Sequence, residues 1–302
     1  MKVAVILNGI SLRKKFLYHD ILPALTKLFE VEVFETLTQN DATPLAAKAV
    51  EKKFDVILAA GGDGTVHQVL NGLLKDNENS INLPALGIVP IGSGNDFARA
   101  LNLNADKEQI IELLKKFKPK KIDVGKISFH IDHGGDESFR YFLNEVDIGM
   151  GPDVVKKVMS SGRPFGVAVS YYMAILSTFA TFKPLPAKIK TPTWNWEGKI
   201  RTLAIANGNY YGHGLCISPD SKPDDRKFGT FICSGISALD FIRYSNDLKK
   251  GKHVRIPEIV YNETEHVELT SPEPCVVEAD GEILGYLPAT ISMIERQLGV
   301  LC

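Results

Sequence analysis

The sequence predicts two parts: an α/β N-terminal domain on a parallel sheet, then a β-rich C-terminal domain of antiparallel, sandwich-like build. Three observations predict this. Apolar runs rich in β-branched residues alternate with helical patterns through about residue 120, as parallel strands covered by helices do. From Ile122 the signals become short extended segments between polar turns, such as His133-Gly134-Gly135-Asp136 and Asn207-Gly208-Asn209, which is how an antiparallel sandwich or barrel reads. Finally, 302 residues at 44% hydrophobic and 24% charged supply enough apolar surface for two cores.

Taken in order, residues 2–7 read as a buried strand ending in Asn8-Gly9, followed by a helical pattern through Leu17, Ile21, Leu25 and Leu28. Strands at 31–36, 55–60 and 85–90 alternate with helices at 45–53, 66–75, 97–101 and 108–116. Beyond them, extended segments are expected at 125–131, 139–147, 186–191, 199–207, 228–234, 254–260, 265–270 and 275–279.

Composition narrows the function. A net charge of −1 argues against a nucleic-acid binder. Cys216, Cys233, Cys275 and Cys302 form no C-x-x-C pair, so a zinc site and a disulfide framework are unsupported and a reducing cytoplasm fits. Val3–Leu7 is too short for a signal-peptide core. Pro164–Phe182 lacks charge, but it carries Ser170, Ser177, Thr178 and Thr181 and is closed by Lys183-Pro184. It reads as a buried or membrane-touching helix starting at Pro164 rather than a transmembrane span.

Two turns carry the chemistry. A buried strand delivers Gly61-Gly62-Asp63-Gly64-Thr65 to the start of a helix. There, glycines let backbone N–H groups approach a phosphate, and the helix dipole favours its charge. Asp63 would repel polyphosphate unless Mg²⁺ or its waters lie between them; the alternative is an Asp that caps the helix. One strand later, Gly92-Ser93-Gly94-Asn95-Asp96 repeats the arrangement, with Ser93 as a phosphate donor and Asn95 or Asp96 as a helix cap. Neither turn is a Walker A loop, and neither fits a dinucleotide fingerprint.

In order, GGDGTVHQVLNGL, LGIVPIGSGNDFARAL, KKIDVGKI, SPDSKPDDRKF and ADGEILGYLP resemble the diacylglycerol kinase catalytic-domain family, which includes soluble bacterial lipid kinases and sphingosine kinases. The resemblance runs over nearly the whole chain. GGDG alone is shared with NAD kinases and phosphofructokinases, and their nucleotide-binding fold is the one implied for the first domain. The implied division is a nucleotide-binding domain at 1–122, to which a tail at 292–302 returns, and a lipid-acceptor domain at 123–291, with the active site in the cleft between them. Residues 61–67 (Gly61, Gly62, Asp63, Gly64, Thr65, Val66 and His67) would wrap the ATP phosphates. Ser93 and Asn95 would contribute from the second turn, and Thr36, with Thr38 as the alternative, would add a further nucleotide contact. Lys222, Asp225 and Lys227 match a Mg²⁺ loop, the lysines through backbone carbonyls. Asp63 and Asp123 match acidic positions of the metal–water network, and Glu282 matches the general base. On its own, Asp280-Gly281-Glu282 reads as a hairpin turn.

The resemblance implies an ATP- and Mg²⁺-dependent lipid kinase, acting foremost on diacylglycerol to make phosphatidic acid. It would be cytoplasmic and peripheral to the inner face of the membrane, without a transmembrane span; a homodimer is left open. The sequence departs from the family pattern at Asn8-Gly9, where Asn-Pro is usual, and at Asp224-Asp225-Arg226, where Asp-Asp-Gly is usual. Losing that glycine restricts the backbone of the metal loop. The alternatives are an NAD kinase-like enzyme with a soluble acceptor and a catalytically silent nucleotide- or lipid-binding module.

Overall fold

The computed structural model describes residues 1–77, 80, 82–161, 166–295 and 297–302. The chain divides into two compact units, Met1–Val124 with Glu295–Cys302, and Gly125–Ile294.

The first unit begins with β1 (Lys2–Leu7). A helical stretch follows in three pieces: α1 (Lys14–Phe16), a π turn (Leu17–Ile21) and α2 (Leu22–Leu25). Then come β2 (Glu30–Glu35), α3 (Ala42–Glu51), β3 (Val56–Gly61), α4 (Asp63–Leu74), β4 (Ala85–Pro90), α5 (Asp96–Ala100), α6 (Lys107–Lys116) and β5 (Lys120–Ile122). The sheet order is β2-β1-β3-β4-β19-β5, where β19 (Leu298–Leu301) is the last strand of the chain. All neighbours are parallel except β19 and β5. Val3, Val5 and Leu7 pack with Leu17, Ile21, Leu25, Ile110 and Leu114. The intervening Ala4 and Ile6 are equally buried, with α3 against β1 and α4 against β3. Burial on both faces is why these strands read as continuous apolar runs without alternation.

The second unit holds one continuous antiparallel sheet. Its strands are β6 (Gly125–His130), β7 (Glu137–Phe142), β8 (Glu145–Gly149), β9 (Leu185–Lys190), β10 (Asn195–Ile200), β11 (Thr202–Ala206), β14 (Phe228–Cys233), β15 (Ile259–Thr264), β16 (His266–Thr270), β17 (Val276–Ala279) and β18 (Glu282–Met293). A separate two-residue pair, β12 (Tyr210–Tyr211) and β13 (Leu215–Cys216), lies in a connecting loop. The path runs β10-β9-β16-β18-β17-β8-β11-β14-β15, with β6 paired to β18 and β7 to β6. Strands from both ends of that path share one core: Ile189 and Val267 lie with Leu203, Phe228, Ile127 and Phe142. The sheet therefore curls over its own inner face. Its outer face is covered by α7 (Met150–Ser160), α8 (Val167–Thr181) and α9 (Ala238–Lys249) through Met150, Val154, Ala174, Phe231 and Phe241.

Several expectations for this unit need correction. Helices α7 and α9 fall where mostly extended segments are expected. α9 does carry a local signal, a capping box in which Ser237 and Asp240 bond each other's backbone N–H. The segment 139–147 is two strands, broken at Leu143-Asn144. The turn is buried because distant groups satisfy it: the Asn207 amide donates to the Leu143 carbonyl at 2.7 Å. The segment 199–207 splits between β10 and β11. The segment expected at 254–260 becomes a strand only from Ile259, beyond Pro257, which has no N–H for a ladder. The helix start expected at Pro164 lies outside the described residues; the described helix runs Val167–Thr181.

β19 sits between β4 and β5 and buries Val300 completely. Removing residues 298–302 would leave two facing strand edges and an open core. The expected result is loss of the cooperative thermal transition of the first unit, followed by circular dichroism; a truncated chain melting like the full-length protein would refute this.

Candidate active site

The two glycine turns meet because β3 and β4 pair in parallel with Gly61 opposite Pro90. Both strands therefore end at the same level. The Gly92 N–H donates to the Gly61 carbonyl at 3.0 Å. A Cβ on Gly92 would lie 2.2 Å from the Gly62 Cα, so only glycine permits the approach. α4 begins immediately after Gly62, and its first N–H groups point out of the helix beside this junction.

Most predicted residues of the second turn build the turn itself. Asn95 is left-handed, at φ 57°. Its Oδ1 accepts the Gly92 N–H at 3.1 Å, and its Nδ2 donates to the carbonyls of Pro90 at 3.2 Å and Gly92 at 3.0 Å. Asp96, the other expected cap, is already the first residue of α5, and the Asn95 side chain does not cap the helix. Asp63 does: its Oδ1 accepts the Phe97 N–H at 3.1 Å, so a carboxylate from the first turn caps the helix that follows the second. Ser93 is exposed at the loop tip.

A third loop completes the group. The Asn8 backbone N–H donates to the Ala60 carbonyl at 2.9 Å, and its Nδ2 donates to Thr65 Oγ1 at 3.3 Å. Thr36 Oγ1 accepts the Gly9 N–H at 3.1 Å. Ser11 Oγ donates to the Ile91 carbonyl at 2.9 Å. Asn8 and Ser11 were not among the predicted site residues; the available signal was an Asn-Gly pair at the carboxyl end of a buried strand. Val66 and His67 are buried on α4, and the His67 Nε2 lies 3.3 Å from the Asn71 amide. Asp123 is fully buried and accepts from Gln297 Nε2 at 2.7 Å, just before β19.

In the second unit, Asp280-Gly281 is a two-residue hairpin turn between β17 and β18, with φ of 50° and 88°. Two positive φ values suit the right-handed twist of the flanking strands. The Asp280 carboxylate accepts the backbone N–H groups of Leu143, Asn144 and Glu145 at 3.0, 2.9 and 3.1 Å. Glu278 accepts the Gly281 N–H. Glu282 thus starts β18 from a turn held on both sides.

A carboxylate pair invisible to the sequence lies beside it. Asp147 on β8 is the cross-strand partner of Glu278 on β17, and both are buried. Desolvation pushes the Asp147 carboxyl up to about 7 against a hydrogen bond from Thr202 Oγ1 at 2.8 Å. Desolvation, then the charge of Asp147, pushes Glu278 well above the usual carboxylate range.

The loop with Lys222, Asp225 and Lys227 joins β13 to β14. Arg226 is left-handed, at φ 64°, the conformation a glycine would supply there. Its Nη1 donates to the Ile294 carbonyl at 2.9 Å. Asp225 Oδ1 accepts the Lys227 N–H at 3.1 Å, and Lys227 Nζ pairs with Glu263 at 3.0 Å. Lys222 is exposed. Among the described residues, no group of three or more His, Cys, Asp or Glu could hold a metal.

The buried pair gives a pH dependence. A carboxyl raised in the folded state binds its proton more tightly there than in the unfolded chain. Its contribution to stability is complete below the ordinary value near 3.8 and is lost as pH rises through about 7. The melting temperature of the second unit is expected to fall between mildly acidic and mildly alkaline pH, and Asp147→Asn should flatten that fall. Equal slopes for both proteins across a pH series would count against the shared burial.

Two family models match the chain. The diacylglycerol kinase catalytic domain matches residues 2–127, and the YegS C-terminal NAD kinase beta sandwich-like domain matches residues 144–302. A Bacillus subtilis (strain 168) protein named diacylglycerol kinase is 28% identical over 306 residues, spanning 99% of this chain and 96% of its own. A Staphylococcus haemolyticus (strain JCSC1435) protein of the same name is 27% identical over 282 residues, spanning 93% of this chain and 81% of its own. A crystal structure of a diacylglycerol kinase from Bacillus anthracis str. Sterne shares the fold at a TM-score of 0.70 and 23% identity, over 99% of this chain and 96% of that one. With the catalytic-domain model over the paired glycine turns and the sandwich-like model over the Asp280-Gly281 hairpin, the chain belongs to the diacylglycerol kinase catalytic-domain family.

Proposed function

We propose that the protein is a lipid kinase that transfers the γ-phosphoryl group of ATP to a lipid hydroxyl, with diacylglycerol as acceptor and phosphatidic acid as product. The observation that carries the reading is the backbone contact of Gly62 with Gly92. It gathers two glycine turns and the N-terminus of α4 at the carboxyl ends of adjacent parallel strands, where phosphates bind in such sheets. Residues 61–67 would wrap the phosphates and the exposed Ser93 hydroxyl would donate to one of them, with Thr36 contributing beside Gly9. Asn95 and Asp63 would act by holding the second turn in shape.

Glu282 is the proposed base for the acceptor hydroxyl proton. Asp280 and Glu278 support that role by fixing the turn from which Glu282 projects. The second unit would provide the acceptor side, and the protein would work in the cytoplasm at the inner face of the membrane.

Mg²⁺ fits the chemistry of the loop at 222–227: one carboxylate and backbone carbonyls are hard oxygen donors, and Arg226 keeps a glycine-like turn. Lys222 and Lys227 carbonyls and the Asp225 carboxylate would hold the ion, with water completing its shell. Asp63 and Asp123 would partner waters of the metal–water network. Bound Mg²⁺ supplies charge neutralisation for the phosphates.

Glu282→Gln tests the reading. With labelled ATP, Mg²⁺ and detergent-dispersed lipids, the wild type should phosphorylate diacylglycerol, and the variant should lose about 10²-fold or more in kcat while still binding ATP. Transfer to NAD with none to any lipid would favour a soluble-acceptor kinase. No turnover by either protein would favour a silent binding module.

A further inference from the structure

Helix α8 packs Ala174 and Ile175 on the core of its unit yet shows apolar side chains outward as well. Its buried residues are Ser170, Ala174, Ile175 and Thr178, and the Thr178 hydroxyl is satisfied only locally, by the Ala174 carbonyl at 2.7 Å. Outward it shows Val169 and Met173, 50% and 58% exposed. Val169, Met173 and Ala180 follow one exposed helical stripe, and no charged residue occurs from 167 to 182. The outward hydroxyls of Ser177 and Thr181 accept from Lys157 Nζ at 3.3 and 3.1 Å. A water-facing helix ordinarily places its charges on this side.

The neighbouring helix repeats the pattern. α9 packs on α8 through Phe241, whose ring lies 5.6 Å from Tyr172 and 5.5 Å from Phe179. Phe241 and Leu248 form its buried side. Leu239 and Ile242 point elsewhere, 77% and 47% exposed. Around these residues the charge is one-sided. Residues 150–161, 167–183 and 238–255 hold eight Lys or Arg against three Asp and no Glu, in a chain of net charge −1. Fifteen helical residues reach about 22 Å, short of a bilayer core of about 30 Å, and no described helix is long and apolar enough to cross a membrane. Apolar tips with a basic surround suit the boundary between anionic headgroups and acyl chains.

We propose that the outward faces of α8 and α9 form the surface by which this protein lies on an anionic membrane. Val169, Met173, Leu239 and Ile242 enter the headgroup–acyl boundary, and Lys249 and Lys250 meet the headgroups. The purpose of the docking rests on the lipid-kinase reading; the docking itself does not.

The experiment is co-sedimentation of the full chain with phosphatidylcholine vesicles, with or without one part in three phosphatidylglycerol. The wild type should prefer the anionic vesicles and lose binding as salt rises. The double variant V169E/M173E should bind them about tenfold or more weakly at an unchanged melting temperature, since both side chains are exposed. Lys249→Gln with Lys250→Gln should reduce the anionic preference. Undiminished binding of V169E/M173E would overturn the proposal. So would a wild type that ignores vesicles and instead self-associates in ultracentrifugation through a contact V169E/M173E abolishes. Turnover on detergent-dispersed lipid separates the two readings. If V169E/M173E keeps that turnover but loses vesicle binding, docking and kinase readings both stand. If neither protein turns over lipid while only the wild type binds vesicles, docking stands and the kinase reading falls.

Discussion

The parallel pairing of β3 with β4, Gly61 opposite Pro90, is the constraint from which the first unit's site follows. It makes two separate strand-to-helix turns end at one level, so close that a Cβ on Gly92 would lie 2.2 Å from the Gly62 Cα. Once the turns touch, each organises the other. Asp63 from the first caps α5 after the second, and Gly92 donates back to Gly61. The loop after β1 joins them through Asn8 and Ser11. The outcome is a braced pair of glycine turns beside the N-terminus of α4, the arrangement that supports the phosphate site proposed for it.

The second unit solves a different problem. A curled antiparallel sheet carries carboxylates on a face that helices cover. Asp280, in the turn after β17, is held by three backbone N–H groups. Asp147 and Glu278 have less support and respond by holding protons. The Asp280 turn sets a fixed hairpin under Glu282, beside a pair on β8 and β17 whose charge depends on pH. Where the outer helices meet water, α8 still presents Val169 and Met173 outward, in addition to the residues it packs on the core.

Much of this was legible in the residues. The strands of the first unit lie close to where apolar runs end in Gly or Asn, because a strand buried on both faces must be apolar throughout. Gly61–Thr65 and Gly92–Asp96 were identifiable because glycine at the end of such a strand has few other uses. Helices α7 and α9 carry apolar residues at helical spacing, Met150, Val154 and Val158 in α7, but lie among short extended segments and read with them. The break at Leu143-Asn144 was hidden because its bonds come from Asp280 and Asn207, far away in sequence.

The glycine turn at 61–65 shows where the division falls. By itself the sequence determined the turn, its strand and its helix, since local propensity and hydrophobic pattern act over a few residues. Tertiary structure alone decided what the turn's residues do. Asp63 became the cap of a helix that starts at Asp96, Asn95 turned inward, and Asp147 met Glu278 across 131 positions of chain. Those pairings are long-range hydrogen bonds and shared burial. They depend on strand register, which no local pattern encodes.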